Sequence, residues 1–486
     1  MNERAPRWEL WISGALAAYW AIQLVYFATR IGLGVPPDET THLGLSEAYA
    51  NAWLMAADGP ETYRFGAISH SPWLYHFMMG KLLWLKPGFV ETHVFLRLWN
   101  VVLALGGLGF AWRAGRLLLE TAVSRLLFLA VYTNVLLFTF VSTGVSYDNL
   151  VNLCAVASTY YLVRHVREPA PRNLLLAAIW MALGCLAKIT YLPLVAVQVA
   201  ALICCRRRDL ARDLAALLQA LRRERSVQVA AGVLGLCLAA TALLYGGNLV
   251  EFGTFRPSCT QILPEAACME NRILARDHAV NRFRTGETDL RGAFVETEAI
   301  PHAGDREYAR RLIQTIQRNK QAPPPRLDPL TYMHMVWNQA VLPAAFGVHG
   351  HRSMLRGPEI LFVFRLVLLA GFLGLVRRFS LQPGWTGQLL LTVHLFGYWL
   401  FLLLAYHYPS FLRTQLPLMG VNGRYFFPVM LPFALLLADH LTGFKRRWLA
   451  TAVALLVGLF FLANAFPVFV DAAGPVWSQP VLEQAP

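Results

Sequence analysis

Apolar runs about as long as a bilayer is thick alternate with short arginine-rich segments through most of this chain. Roughly twenty consecutive apolar residues cross the hydrocarbon core as a helix, and Lys/Arg flanks mark the inner ends. The first run, residues 8–28, follows Arg4 and Arg7. It lacks a small-residue cleavage site and reads as a retained span with its leading end inside. Residues 30–92 then form an external loop. Its segment 73–85 is aromatic and too short to span, which predicts an interfacial amphipathic helix.

Further spans are predicted near residues 93–112, 123–140 and 149–163, with inner flanks at Arg113/Arg116 and Arg164–Arg172. The apolar stretch 174–205 is long enough for two short spans if broken, and Lys188-Ile189-Thr190-Tyr191-Leu192-Pro193 supplies the break. Arginines and leucines at helical spacing over 206–225 predict a basic amphipathic helix on the inner leaflet. A span near 227–250 leads into a long polar external region, 251–357, and spans near 359–376, 385–406, 425–440 and 448–470 follow. Between them lie the inner flanks Arg377/Arg378 and Lys445-Arg446-Arg447. The expectation is an all-α polytopic membrane protein of about eleven crossings, with its first residues inside and its last outside. No internal repeat is evident, so an inverted-repeat transporter gains no support.

Composition agrees with that class. Of 486 residues, 56% are hydrophobic and only 15% charged, against about 25% charged in soluble domains. The net charge of +14 sits in the inner flanks and not on one basic face, which excludes nucleic acid as a partner. Cys154, Cys185, Cys204, Cys205 and Cys237 fall in or beside apolar runs. Cys259 and Cys268 lie in the external region, where an oxidising compartment allows a disulfide between them.

The candidate chemistry gathers at predicted outer boundaries. Val35-Pro36-Pro37-Asp38-Glu39-Thr40-Thr41-His42 follows the first span, so two prolines stiffen the backbone that presents adjacent carboxylates. These are the materials of a general base, a metal site or a helix cap. His70, in Ser69-His70-Ser71-Pro72-Trp73, stands before the interfacial helix, as an anchor or a phosphate contact. Asp148 opens the fourth span, as a cap or a second acid facing the same cavity. Lys188 and Arg424 place cations near those acids, as snorkelling anchors or as partners for an anionic lipid headgroup.

Taken together, Pro-Asp-Glu-x-x-x-His, the Ser-Pro-Trp-Leu-Tyr turn, Leu-Ala-Lys-Ile-Thr-Tyr and Gly-Arg-Tyr-x-x-Pro resemble the GT-C fold glycosyltransferases. The likeness is to the branch of protein mannosyltransferases and aminoarabinose transferases that use polyprenyl-phosphate sugars. It implies an integral membrane enzyme, in the plasma (inner) membrane, that passes a sugar from a polyprenyl-phosphate carrier to a glycan, lipid or protein acceptor on the periplasmic side. It further implies Asp38 as catalytic base and Glu39 as the second acid, orienting Asp38 or meeting the acceptor. Asp148 matches the acid of the fourth span, and His42, His70, Lys188 and Arg424 are the substrate-binding candidates. The branch usually has Pro-Pro where this chain has Ser71-Pro72, preceded here by His70, and residues 251–357 match no pattern of the branch.

The expected reaction is an inverting single displacement, in which Asp38 takes the acceptor hydroxyl proton as the carrier phosphate leaves. The resemblance calls for no obligatory metal. If an ion serves, Asp38, Glu39 and His42 are its ligands, and their hard donors suit magnesium or manganese. The expected organisation is an N-terminal catalytic membrane module (1–250, with the loop 30–92), the external region 251–357, C-terminal spans (358–470) and an external tail (471–486). A lipid-linked glycan polymerase or ligase is the nearest alternative. A secondary transporter would place its charges near the bilayer midplane.

Overall fold

The computed structural model describes residues 6–300, 302–322, 326–348, 352–355, 357–379, 386–414 and 422–481. Gly420 and Val421 of the Arg424 motif, Trp385, the side chain of Arg378 and tail residues 482–486 lie outside them. Among the described residues the regular structure is helical, apart from one bridge between Val348 and Met354. Six helices there are long and apolar enough to cross a membrane: Arg7–Arg30, Thr92–Leu118, Arg225–Phe252, Pro358–Arg377, Thr386–Thr414 and Arg447–Ala472. The other expected crossings fall on shorter, broken or more polar helices.

Helix α1 (Arg7–Arg30) leads into the first loop, which carries α2 (Glu39–Asn51) and α3 (Leu74–Leu83), the latter on the segment predicted to be interfacial. Helix α4 (Thr92–Leu118) follows. The expected third span, 123–140, is instead two pieces, α5 (Ala122–Tyr132) and α6 (Leu136–Val141). The cause is local: Thr133 Oγ1 donates back to the Leu129 carbonyl at 2.7 Å and Asn134 Nδ2 to that of Ala130 at 2.9 Å. Such side-chain bonds compete with helix continuation.

Helix α7 (Asp148–Arg167) is buried on nearly every side and forms the axis of the bundle, with α8 (Pro171–Ala187) and α9 (Tyr191–Arg206) against it. The predicted break falls between these last two. Lys188 is extended there (φ −158°, ψ 135°), and Pro193 sits in the first turn of α9, where its missing N–H costs nothing. The basic segment forms α10 (Leu210–Arg223). Its neighbour Arg206 is not a surface cation, because its guanidinium pairs with buried Asp213 at 2.7 Å, which His165 also approaches at 3.3 Å.

Helix α11 (Arg225–Phe252) ends on Gly253 at φ 70°, a left-handed stop that glycine adopts without strain. Beyond it, α12 (Arg272–Thr285), α13 (Leu290–Glu298) and α14 (Ala303–Gln321) pack around Val280, Phe283, Ala293 and Ile313 as a small separate core. Cys259 and Cys268 form a disulfide whose sulfurs pack on Tyr63 of the first loop. Helices α15 (Asn338–Phe346), α16 (Pro358–Phe379), α17 (Thr386–Phe401), α18 (Met430–Leu441) and α19 (Arg447–Ala463) complete the bundle. The C-terminal segment then returns to the first loop, where the Gly32 N–H donates to Trp477 and the Val481 N–H to Leu33, both at 2.8 Å. A Cβ on Gly32 would lie 2.0 Å from the Gln479 carbonyl oxygen, so only glycine fits this crossing.

Candidate active site

The short link from α1 to α2 is held from three directions. The C-terminal segment fixes residues 32 and 33, and Pro36 packs so closely on Gly144 that a Cβ there would come within 2.7 Å of the proline ring. The third hold is Glu39. Its carboxylate is fully buried and receives Nε and Nη2 of Arg97 at 2.7 and 2.6 Å, the Gly34 N–H at 2.9 Å and the Val145 N–H at 3.1 Å. Arg97, equally buried, also donates to the carbonyls of Ile31 and Gly32 at 2.6 and 3.0 Å. One ion pair thus ties α1, α2, α4 and the start of α7 together.

Asp38 occupies the centre of that vice. Its backbone is left-handed (φ 58°, ψ 16°), the one non-glycine residue at positive φ among those described. That conformation costs roughly 1–3 kcal/mol and persists only where the surroundings impose it. It sends the carboxylate to Nη2 of Arg424 at 2.5 Å. Arg424 is delivered by the short 3₁₀ turn Gly423–Val429, whose start is capped by Asn422. Beyond Arg424, Asp148 Oδ2 lies 3.8 Å from Nε, and Asp148 Oδ1 accepts from Lys188 Nζ at 2.6 Å. Two acids and two cations therefore alternate in a line, which compensates charges that burial would otherwise penalise by several kcal/mol each.

The line is graded in access. Asp38 is 38% exposed, whereas the side chains of Arg424, Asp148 and Lys188 are about 10% exposed. Asp148 Oδ2 and Arg424 Nε face each other beyond hydrogen-bonding distance, and both are buried without a hydrogen-bond partner among the described residues. Tyr147 and Tyr425 turn ring faces to the Lys188 ammonium at 4.5 and 5.4 Å, as cation–π partners.

His42, one turn into α2, packs edge-on to Tyr147 with centroids 4.3 Å apart, and its Nδ1 is 2.9 Å from Nε2 of His76 on α3. Burial drives the His42 pKa down to about 4, against the opposing pull of Asp38, so the ring is neutral at physiological pH.

The structure thus brings Asp38, His42, Asp148, Lys188 and Arg424 together. His70 is not with them: Asn248 engages its Nδ1 at 3.1 Å and donates to its carbonyl at 3.0 Å, and its Nε2 lies 4.0 Å from Asp58. Of the substrate-binding candidates, His70 is thus the one whose polar contacts lie elsewhere in this structure. Of the three residues named as ligands if an ion serves, Glu39 has both carboxylate oxygens engaged by Arg97. Among the described residues no group of three His, Cys, Asp or Glu side chains is arranged to hold an ion.

The sequence assigns no role to Arg97, His76, Tyr147 or Tyr425. The first had a signal, since a lone arginine inside an apolar run (Phe95-Leu96-Arg97-Leu98) marks a structural or functional site by its cost alone. The tyrosines were beside residues already singled out, but adjacency carries no information about ring orientation.

A 190 Å³ apolar cavity is lined by Ile189 and Thr190, next to Lys188 in the chain, and by Tyr398, Phe401, Tyr406 and Tyr425. A larger one, 730 Å³, is lined by Trp337, Trp399, Phe426 and Phe427, of which the two phenylalanines follow Arg424 closely in the chain.

Residues 72–222 match the family model described as dolichyl-phosphate-mannose-protein mannosyltransferase. This is less than half of the chain, and it includes Asp148 and Lys188 but not Asp38 or Arg424. Among solved structures, the oligosaccharyltransferase of Archaeoglobus fulgidus tethered to an acceptor peptide superposes with a TM-score of 0.51 at 12% identity, covering 99% of this chain and 56% of that one. Its apo form gives 0.50 at 13% identity, covering 99% and 57%. ArnT from Cupriavidus metallidurans bound to undecaprenyl phosphate matches at 0.38 and 13% identity, covering 90% and 78%. The chain spans about half the length of the oligosaccharyltransferase. No curated protein matches it by sequence. The chain is a multi-pass membrane protein with the GT-C fold.

Proposed function

We propose that the chain is a membrane glycosyltransferase that takes a sugar from a polyprenyl-phosphate carrier and passes it to an acceptor hydroxyl, with Asp38 as general base. The observation that carries this reading is the line Asp38–Arg424–Asp148–Lys188, with its most accessible carboxylate at one end and two cations whose chain neighbours Phe426, Phe427, Ile189 and Thr190 line apolar cavities. A phosphate needs cations, its prenyl tail needs apolar walls, and the incoming hydroxyl needs a base within reach; the three occur side by side. The partial match to the mannosyltransferase model favours the same carrier chemistry.

In the proposed step, the acceptor oxygen attacks the anomeric carbon from the face opposite the phosphate while its proton passes to a carboxylate oxygen of Asp38. The bond from the anomeric carbon to the phosphate oxygen breaks, and the carrier leaves as a phosphate anion beside Arg424 and Lys188. A single displacement inverts the anomeric configuration. Phosphate leaves without help from a general acid, so one carboxylate suffices. Glu39 takes no part in the proton transfer on this reading and serves as a positioning residue through Arg97. The reaction belongs to the side of the membrane that carries the disulfide and lacks the arginine clusters.

The test is transfer from labelled polyprenyl-phosphate monosaccharides in membranes containing the protein. Asp38→Asn should lower the rate by roughly 10²–10⁴-fold with donor binding retained. Transfer that survives Asp38→Asn unchanged removes the assignment, and a product with retained configuration removes the single displacement. The fold shared with an oligosaccharyltransferase favours, as a second reading, a ligase that moves a preassembled glycan. Activity only with oligosaccharide-bearing carriers would select it. Solute uptake without sugar transfer would point to a transporter.

A further inference from the structure

At the end of the bundle away from Asp38, the hairpin of α7 and α8 encloses a 420 Å³ cleft. Its walls include Tyr161, Arg164 and Glu168, which share one face of α7, and Arg172, Asn173 and Leu176 from the first turns of α8. The cleft stands apart from the charged line, because Asp148 and Lys188 occupy the other ends of the same two helices. Its floor is aromatic: Tyr161 packs on Phe110 of α4 with ring centroids 5.9 Å apart, and Phe110 on Trp180 of α8 at 5.7 Å. Its rim is cationic. Arg172 has no acidic partner among the described residues, and Arg164 Nε comes only within 4.0 Å of Glu168, with both side chains exposed. Arg113 stands three residues beyond Phe110 on the same face of α4 and is exposed as well, so three arginines face one carboxylate. By contrast, Arg125 and Arg206 at this end are committed to buried Glu9 and Asp213, each at 2.7 Å.

We infer that this cleft binds an anionic phospholipid from the leaflet at the basic end of the bundle, with its phosphate on Arg164 and Arg172 and its acyl chains over Tyr161, Phe110 and Trp180. Planar guanidinium forks match phosphate oxygens in pairs, and basic pockets between membrane helices suit such headgroups. The start of α8, a 17-residue helix opened by Pro171, adds the positive end of its dipole to the same rim. The order of cation and ring along the bundle selects a lipid over a soluble phosphate, which would use the arginines and leave the aromatic floor unused. The flank is open to lipid too. Val102, 53% exposed, lies about three turns before Arg113 on one face of α4, a helix long and apolar enough to span the membrane.

The experiment titrates the full chain in a neutral detergent with phosphatidylglycerol and counts bound lipid by native mass spectrometry. Phosphatidylcholine with the same acyl chains and inorganic phosphate are the comparison ligands. One phosphatidylglycerol should bind ahead of any phosphatidylcholine, and Arg164→Gln/Arg172→Gln should weaken it by roughly 30-fold, as expected for two cations at a membrane surface. Arg222→Gln/Arg223→Gln on α10 removes the same charge at the same end and should leave the affinity unchanged. Equal loss in the two double variants overturns the inference, because binding then follows net charge and not the cleft. Equal affinity for phosphatidylcholine overturns it as well. Binding of inorganic phosphate that is lost in Arg164→Gln/Arg172→Gln, without binding of phosphatidylglycerol, assigns the cleft to a soluble anion and rejects the lipid. If the double variant does not fold, Arg172→Gln alone, at an exposed first-turn position, should still bind phosphatidylglycerol several-fold more weakly than Arg223→Gln does. Equality of those two single variants rejects the site.

Discussion

At the residue scale, Arg97 and Glu39 are the pair whose disruption should be felt first. Removing one partner leaves an uncompensated charge at a site with no solvent access, typically worth about 3–5 kcal/mol, whereas replacing both with apolar groups is often nearly neutral. Arg97→Met should therefore lower thermal stability sharply, and Arg97→Met/Glu39→Met should recover much of it. If the pair also positions Asp38, the double variant stays folded yet turns over slowly, with kcat falling more than KM rises. Arg424→Lys probes another property, because lysine keeps the charge but loses the planar fork that faces Asp38 and Asp148 together. Its donor KM should rise several-fold, measured in the same transfer assay. His42 yields a pH dependence. Its folded pKa is held near 4, below the ordinary value of 6.5, so the unfolded chain takes up a proton between those values and the folded chain does not. Stability from this group is complete above about pH 6.5 and is lost as pH falls towards 4. Replacing His42 with glutamine should flatten the acid limb of a melting-temperature profile.

At the scale of elements, the disulfide segment acts as a clasp on the first loop. Cys259 and Cys268 pack on Tyr63, and Asn271 just beyond donates to the Tyr63 and Arg64 carbonyls at 3.1 and 3.3 Å while capping α12. Closing so short a loop reduces unfolded-chain entropy by an amount worth about 2–3 kcal/mol. Cys259→Ser/Cys268→Ser should lower the melting temperature, and limited proteolysis should then cut first near residues 59–67. Equal protection of that loop in the variant would show that Asn271 and Asn248 hold it unaided. The elements themselves were largely legible, because apolar length and arginine flanks respond to the bilayer, which acts alike on every span. The break at Lys188 was legible for a similar reason, since Pro193 forbids a continuous helix. The break at Thr133 and Asn134 was not: a polar side chain within an apolar run can face a neighbouring helix or bond back to its own, and the sequence does not distinguish these.

At the scale of the whole molecule, the site is made of residues separated by most of the chain, and its legibility divides accordingly. Asp38, Asp148, Lys188 and Arg424 could be marked because each stands at the end of an apolar run, where a charge needs a reason. That His70 turns to Asn248, and that Arg97 takes both oxygens of Glu39, depends on the packing of α4 and α11 against the first loop, which no local pattern records. The same packing sorts charge between the two ends of the bundle. Arg164, Arg167, Arg172, Arg206 and the arginines of α10 gather at one end, and Asp38, the disulfide and α12 to α14 at the other. If the basic end is cytoplasmic, a membrane-impermeant maleimide added to sealed, right-side-out vesicles should label Val295→Cys on α13 and leave Leu218→Cys on α10 unlabelled until detergent is added. The reverse pattern would put Cys259 and Cys268 in a reducing compartment and move the proposed transfer to the inner face. Labelling of the first position alone places donor, acceptor and Asp38 together outside, where a carrier-linked sugar, and not a soluble nucleotide sugar, is the donor within reach.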